Sequence, residues 1–108
     1  MIRTLLLAAL ASGAAFASPA SAQGADPNLG RNLAAACANC HGTNGMSQQS
    51  MPNLAGQQRA YLVQQMQDFR AGKRPATIMH QIAKGYTDEQ IDALAAYFST
   101  QGADRRRP

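Results

Sequence analysis

Apolar residues recur along this chain in helical stripes separated by polar, glycine-bearing stretches. Leu29, Leu33, Ala36 and Cys37 fall at i, i+4, i+7 and i+8, one face of a helix. The pattern predicts that this helix opens at Asp26 with Pro27 in its first turn. Gly30 on it would admit close approach by another helix. From Gly42 to Gly56 the composition turns to Gly, Asn, Ser, Gln and Pro, which reads as a loop. Gln57 to Ala71 is predicted as a second helix, with Tyr61, Leu62, Met66 and Phe69 as its buried stripe and Gly72 as its stop. Lys73, Arg74 and Pro75 form a turn, and Thr77 to Lys84 a short helix carrying Ile78, Met79 and Ile82, closed by Gly85. Thr87-Asp88-Glu89-Gln90 is a capping box, and Ile91, Leu94, Ala95 and Phe98 follow it at i, i+3, i+4 and i+7. Gly102 should end this last helix, which is expected to cross the first near Gly30. Almost no strand alternation is visible, so the fold class is all-α, three main helices and one short one.

The first residues change this picture. Met1-Ile2-Arg3 precedes an apolar run from Thr4 to Phe16, and Ala20-Ser21-Ala22 supplies small residues suited to cleavage. The run is too short to cross a bilayer, so residues 1–22 read as a secretory signal peptide and 23–108 as one exported domain. Export implies a periplasmic location, with no membrane span after cleavage. A domain this small buries only about 60–65% of its unfolded surface and needs a staple. Nine Arg and Lys against six Asp and Glu leave it near +3, and three of those cations are Arg105, Arg106 and Arg107. With no basic stripe in the body, nucleic acid is not an expected partner.

The candidate chemistry is Cys37-Ala38-Asn39-Cys40-His41, a C-x-x-C-H run of the kind that attaches c-type haem. Two thiols three residues apart share one helical face and can reach the two vinyl groups on one side of a porphyrin. The adjacent imidazole can then approach the iron axially. A structural disulfide or a dithiol redox pair is the plainer reading of two cysteines in an exported chain. Zinc lacks ligands, since the chain holds two Cys and two His, and a thioredoxin-like domain needs flanking strands. The His directly after the second Cys favours one covalent haem c, which would also be the staple. Pro52 in the following loop offers a carbonyl to the His41 ring N–H.

The second axial position has five candidates: Met46, Met51, Met66, Met79 and His80. Met46 and Met51 follow His41 too closely to cross to the opposite face easily, and Met66 belongs to a core stripe by its phase. Met79 lies 38 residues beyond His41, enough chain to wrap the ring. His80 beside it, and an open iron, remain as alternatives.

The order of helix, C-x-x-C-H, loop, helix, Met and capped terminal helix resembles class I cytochromes c over the whole domain. Gly30 is similar to the small helix-contact residue of that family, and Leu94 and Tyr97 to its terminal-helix partners. The runs Met51 to Gln57 and Tyr61 to Asp68 resemble bacterial two-haem cytochromes. Ala76 to Thr87 resembles the cytochrome subunit of flavocytochrome c sulfide dehydrogenase. In those relatives the Met eight residues before the terminal cap ligates iron, which implies Met79 here. Two departures stand out: a single C-x-x-C-H, and no Trp to meet a haem propionate, a role open to Arg59, Tyr61 or Arg74. The resemblance implies single-electron transfer and no catalysis on a substrate. It implies a redox protein partner, the flavoprotein subunit of a sulfide dehydrogenase, with a freely diffusing shuttle to a terminal oxidase or another dehydrogenase as the alternative.

Overall fold

The computed structural model describes residues 26–102. The expected signal peptide and the Arg105–Arg107 tail lie outside the described residues. Among those residues the structure is helical with no strand. Five helices follow in order: α1 (Leu29–Ala34), α2 (Ala38–His41), α3 (Arg59–Ala71), α4 (Met79–Ala83) and α5 (Asp88–Thr100). A 3-10 turn, Ala35–Cys37, joins α1 to α2 with helical backbone angles throughout, so the chain runs as one rod with a tightened middle.

That rod begins later than the sequence suggests. Asp26 does not cap a helix. Its Oδ1 accepts from the Asn28 N–H at 2.9 Å and its carbonyl from Leu29 N–H at 3.0 Å. The short side chain thus closes a local turn, and regular helix starts only beyond it. The second main helix also starts late, at Arg59, because Gln57 is tied back into the loop: its side chain donates to the Asn53 carbonyl at 3.3 Å and Gln58 is extended.

The core forms where α1, α3 and α5 meet: Ala34, Leu62, Leu94, Ala95 and Phe98 pack as one buried cluster. Ile91, Leu94, Ala95 and Phe98 are all buried, as their spacing on α5 predicts. Thr87 Oγ1 accepts from Gln90 N–H at 3.2 Å, and Gln90 Oε1 accepts from Thr87 N–H at 3.0 Å, completing the capping box. α1 lies against α5 at Gly30. A Cβ there would sit 3.0 Å from the Ala93 carbonyl carbon and 3.1 Å from Tyr97 Cβ. Only a residue without a side chain allows the two backbones this near. Gly72 ends α3 in the left-handed conformation, its N–H turned to the carbonyls of Asp68 and Phe69.

Tyr61 is 49% exposed, contrary to its expected place in the buried stripe. Leu62, Met66 and Phe69 keep the i, i+4, i+7 phase. Tyr61 is one residue, about 100°, off that line. The short helix likewise buries Ala83, leaving Ile78 54% and Ile82 39% exposed.

The loop after His41 is drawn in at a neck. Gly42 and Gly45 have positive φ, and Asn44 is the one non-glycine residue described that does. The carbonyl of Gly45 accepts from Leu54 N–H at 2.9 Å and Ala55 N–H at 3.1 Å. Tyr97 on α5 donates its hydroxyl to Asn44 Oδ1 at 2.6 Å, and Gly56 N–H reaches the Phe98 carbonyl at 2.9 Å. The loop is therefore fastened to α5 on both sides of its neck.

Candidate functional site

A cavity of about 560 Å³ opens between α2, the loop, α3, α4 and α5. Its deep wall is apolar, built from Leu62, Ile91, Leu94, Ala95 and Phe98. Cys37, Cys40, His41 and Met79 all line it, so the structure gathers the four sequence-predicted site residues around one cavity. Met51 and Met66 also line it, whereas Met46 and His80 do not. His80 turns elsewhere, and its Nδ1 is buried without a hydrogen-bond partner.

His41 is buried at the end of α2. Its Nδ1 lies 2.7 Å from the Pro52 carbonyl oxygen. A carbonyl can only accept, so Nδ1 carries the proton. In the neutral imidazole Nε2 then keeps its lone pair for another partner. The bond also locks the ring's rotation, which the sequence position of Pro52 allowed one to expect. Gly42, next in the chain, turns the backbone sharply at φ 82°, and a side chain there would strike Met46.

Cys37 and Cys40 are free thiols, one half-buried and the other exposed. Burial pushes the Cys37 thiol above its ordinary pKa, and nearby Cys40 adds to the shift. Burial likewise raises Tyr86 on the same wall, with Cys37 contributing second.

The residues present fit a covalent haem. A flat apolar macrocycle suits a cavity of this size, in the usual range for cofactor sites. Two thiols and an imidazole with an available Nε2 converge on its wall. Sequence reasoning missed Gln65 and Asp92. Gln65 stands on the cavity wall, and Asp92 takes Arg59, one of the residues the sequence offered for a propionate, through Nε to Oδ1 at 2.9 Å and a second bond to Oδ2. The 33-residue separation of Arg59 and Asp92 carries no local signal.

Comparison with known proteins agrees with this geometry. A family model described as Cytochrome c matches residues 27–102. The cytochrome subunit of sulfide dehydrogenase from Chlorobaculum tepidum is 40% identical over 94 residues, 82% of this chain and 86% of that protein. The thiosulfate dehydrogenase electron acceptor of Stutzerimonas stutzeri is 43% identical over 95 residues, 81% of this chain but 44% of that one. A solved cytochrome c4 from Acidithiobacillus ferrooxidans superposes with a TM-score of 0.58 at 45% identity, covering 60% of this chain and 38% of that one. The chain thus spans under half the length of the last two relatives.

Proposed function

The chain belongs to the cytochrome c family, and from that premise we propose that Cys37 and Cys40 would attach its haem c and that His41 and Met79 would hold the iron. The haem supplies one-electron redox chemistry, and the protein transfers electrons. The observation that supports the ligand assignment is the shared cavity: Cys37, Cys40, His41 and Met79 all line it, with the His41 ring already oriented by Pro52. Leu62, Leu94 and Phe98 exclude water behind it, which favours a small change of solvation between the two charge states. A thioether and an imidazole together would give the iron a higher reduction potential than two imidazoles.

The test is spectroscopic. Met79→Ala should abolish the weak long-wavelength band of a Met-ligated ferric haem and admit added cyanide, while Met66→Ala retains the band. If Met66→Ala abolishes it and Met79→Ala does not, the ligand assignment is wrong.

The partner on this reading is a redox protein, the flavoprotein of a sulfide-oxidising pair. The similarity to the Chlorobaculum tepidum subunit over most of both chains supports it. The likeness to a thiosulfate dehydrogenase electron acceptor supports a second reading, a shuttle. On either reading the leader is removed after Ala22 and the domain works in the periplasm; among the described residues no helix is long and apolar enough to cross a membrane. Purification of the untagged protein discriminates the two. Bound flavin and sulfide-dependent haem reduction support the subunit, and a lone monomer unreduced by sulfide with added flavoprotein supports the shuttle.

A further inference from the structure

The cavity wall carries one permanently charged side chain, Arg74. Burying a haem brings two propionate carboxylates to the protein, and a carboxylate at the mouth of an apolar cavity needs a donor of opposite charge. Of the three residues the sequence left open for that role, the structure separates Arg59 from the cavity. Arg59 is held by both carboxylate oxygens of Asp92 and is not on the wall. Tyr61 lines the cavity but has no charge.

Arg74 is placed by three independent contacts. Its backbone N–H donates to the Asp68 carbonyl at 3.2 Å, just past the turn at Gly72. Its guanidinium carbon stands 4.7 Å from the centroid of the Phe69 ring. Its Nη1 donates to Gln65 Oε1. One bond to a neutral amide leaves four of the five guanidinium donors for another acceptor. A planar fork stacked on a ring, half-buried at the edge of an apolar cavity, matches the geometry of a carboxylate.

We propose that Arg74 is the carboxylate anchor of this cavity, taking one haem propionate, with Gln65 and Phe69 as its positioning residues. The proposal rests on the haem reading above but not on which residue is the second axial ligand. The neighbouring charges do not compete for the role. Arg70 donates to the Tyr86 carbonyl and to Asp88, and Asp68 Oδ1 accepts from Gln64 at 2.8 Å. Lys73 is exposed, and the remaining titratable groups on the wall are His41, Tyr61, Tyr86 and the two cysteines. Arg74 beside the propionate would hold its pKa down, so its loss should raise it.

The measurement is the reduction potential of the holoprotein against pH, with the infrared carboxyl band of the haem followed in parallel. Potential falls as the propionate deprotonates, and the pH of that bend reports its pKa. Arg74→Gln should move the bend and the infrared midpoint up by roughly one pH unit, the low end for loss of an adjacent opposite charge at a partly exposed site. Arg59→Gln should leave both in place. Arg74→Lys, which keeps the charge and folds under the same constraints, should shift them less than Arg74→Gln. Unchanged midpoints in Arg74→Gln, or equal shifts in Arg59→Gln, overturn the anchor. So does a salt-dependent loss of partner reduction with unmoved midpoints, which would assign Arg74 to a partner's carboxylate instead. Haem that extracts from the parent protein in acid acetone would overturn covalent attachment, a failure distinct from that of the anchor.

Discussion

Gly30→Ala measures how much of this fold depends on two backbones touching. In an isolated helix the change would stabilise by about 0.8–1 kcal/mol. Here the new methyl would stand 3.0 Å from the Ala93 carbonyl carbon and 3.1 Å from Tyr97 Cβ, and nearer still to the Ala93 oxygen. None of these is the flexible end of a side chain, so α1 must back away from α5. Overfilling a packed contact costs about 1–3 kcal/mol. A backbone obstacle belongs in the upper part of that range, so the expected net loss is about 1–2 kcal/mol. In a domain of this size each kcal/mol lowers Tm by about 4–8 °C, so a fall of roughly 4–15 °C is expected. The haem spectrum should broaden as well, since the same rod that bears Gly30 ends in Cys37, Cys40 and His41. Thermal unfolding of the holoprotein by circular dichroism reads the effect, with Gly30→Val expected to be worse. A Tm at or above that of the parent would show that the gain in helix propensity outweighs the contact and would refute the argument.

Two further outcomes follow from contacts at the two ends of α5's first turns. Thr87→Ala removes one half of the capping box and should cost about 1 kcal/mol in denaturant unfolding, while Thr87→Ser restores most of it. Arg59 holds the Asp92 carboxyl below its ordinary pKa, first through the hydrogen bond and then through charge, against a smaller opposing effect of burial between the two. A lowered folded-state pKa gives stability that is present above the unfolded value, near about 3.9, and lost as pH falls through the folded one. Arg59→Gln should therefore melt below the parent at pH 7 and converge with it as pH falls through the folded-state pKa of Asp92; a gap that widens in acid would contradict the pairing.

Much of this fold was legible because its signals are local. The capping box at Thr87, the stop at Gly72 and the four-residue stripe of α5 each lie within a few residues and need no knowledge of the rest. The five-residue haem motif is as local, and Gly30 could be read because a glycine inside a helical stripe invites a packing explanation. What failed to show was set by competition or by distance. Asp26 could either cap or turn, and its bond to Asn28 N–H selected the turn. Tyr61 was counted into a stripe whose true phase passes through Leu62. The choice among Arg59, Tyr61 and Arg74 depended on Asp92 lying against Arg59, a tertiary fact. The gathering of Met51 and Met66 with Met79 around one cavity is tertiary in the same sense, since helical phase alone assigned Met66 to packing.

The neck at Gly45 and Leu54 bears on how such a chain can vary in length. Loop closure there is set by the Gly45 carbonyl and its two bonds, and the Asn53 side chain links Ser47 N–H to the Ala55 carbonyl. Pro52, whose carbonyl orients His41, stands next to that fastening rather than out at the tip. Residues 48–50 hang beyond it, all exposed. Extra residues inserted there would lengthen a closed loop at only about 0.6 kcal/mol for each doubling of its length. Insertions at the tip can accordingly accumulate as nearly neutral change, available for contact with a new partner, while the imidazole keeps its orientation.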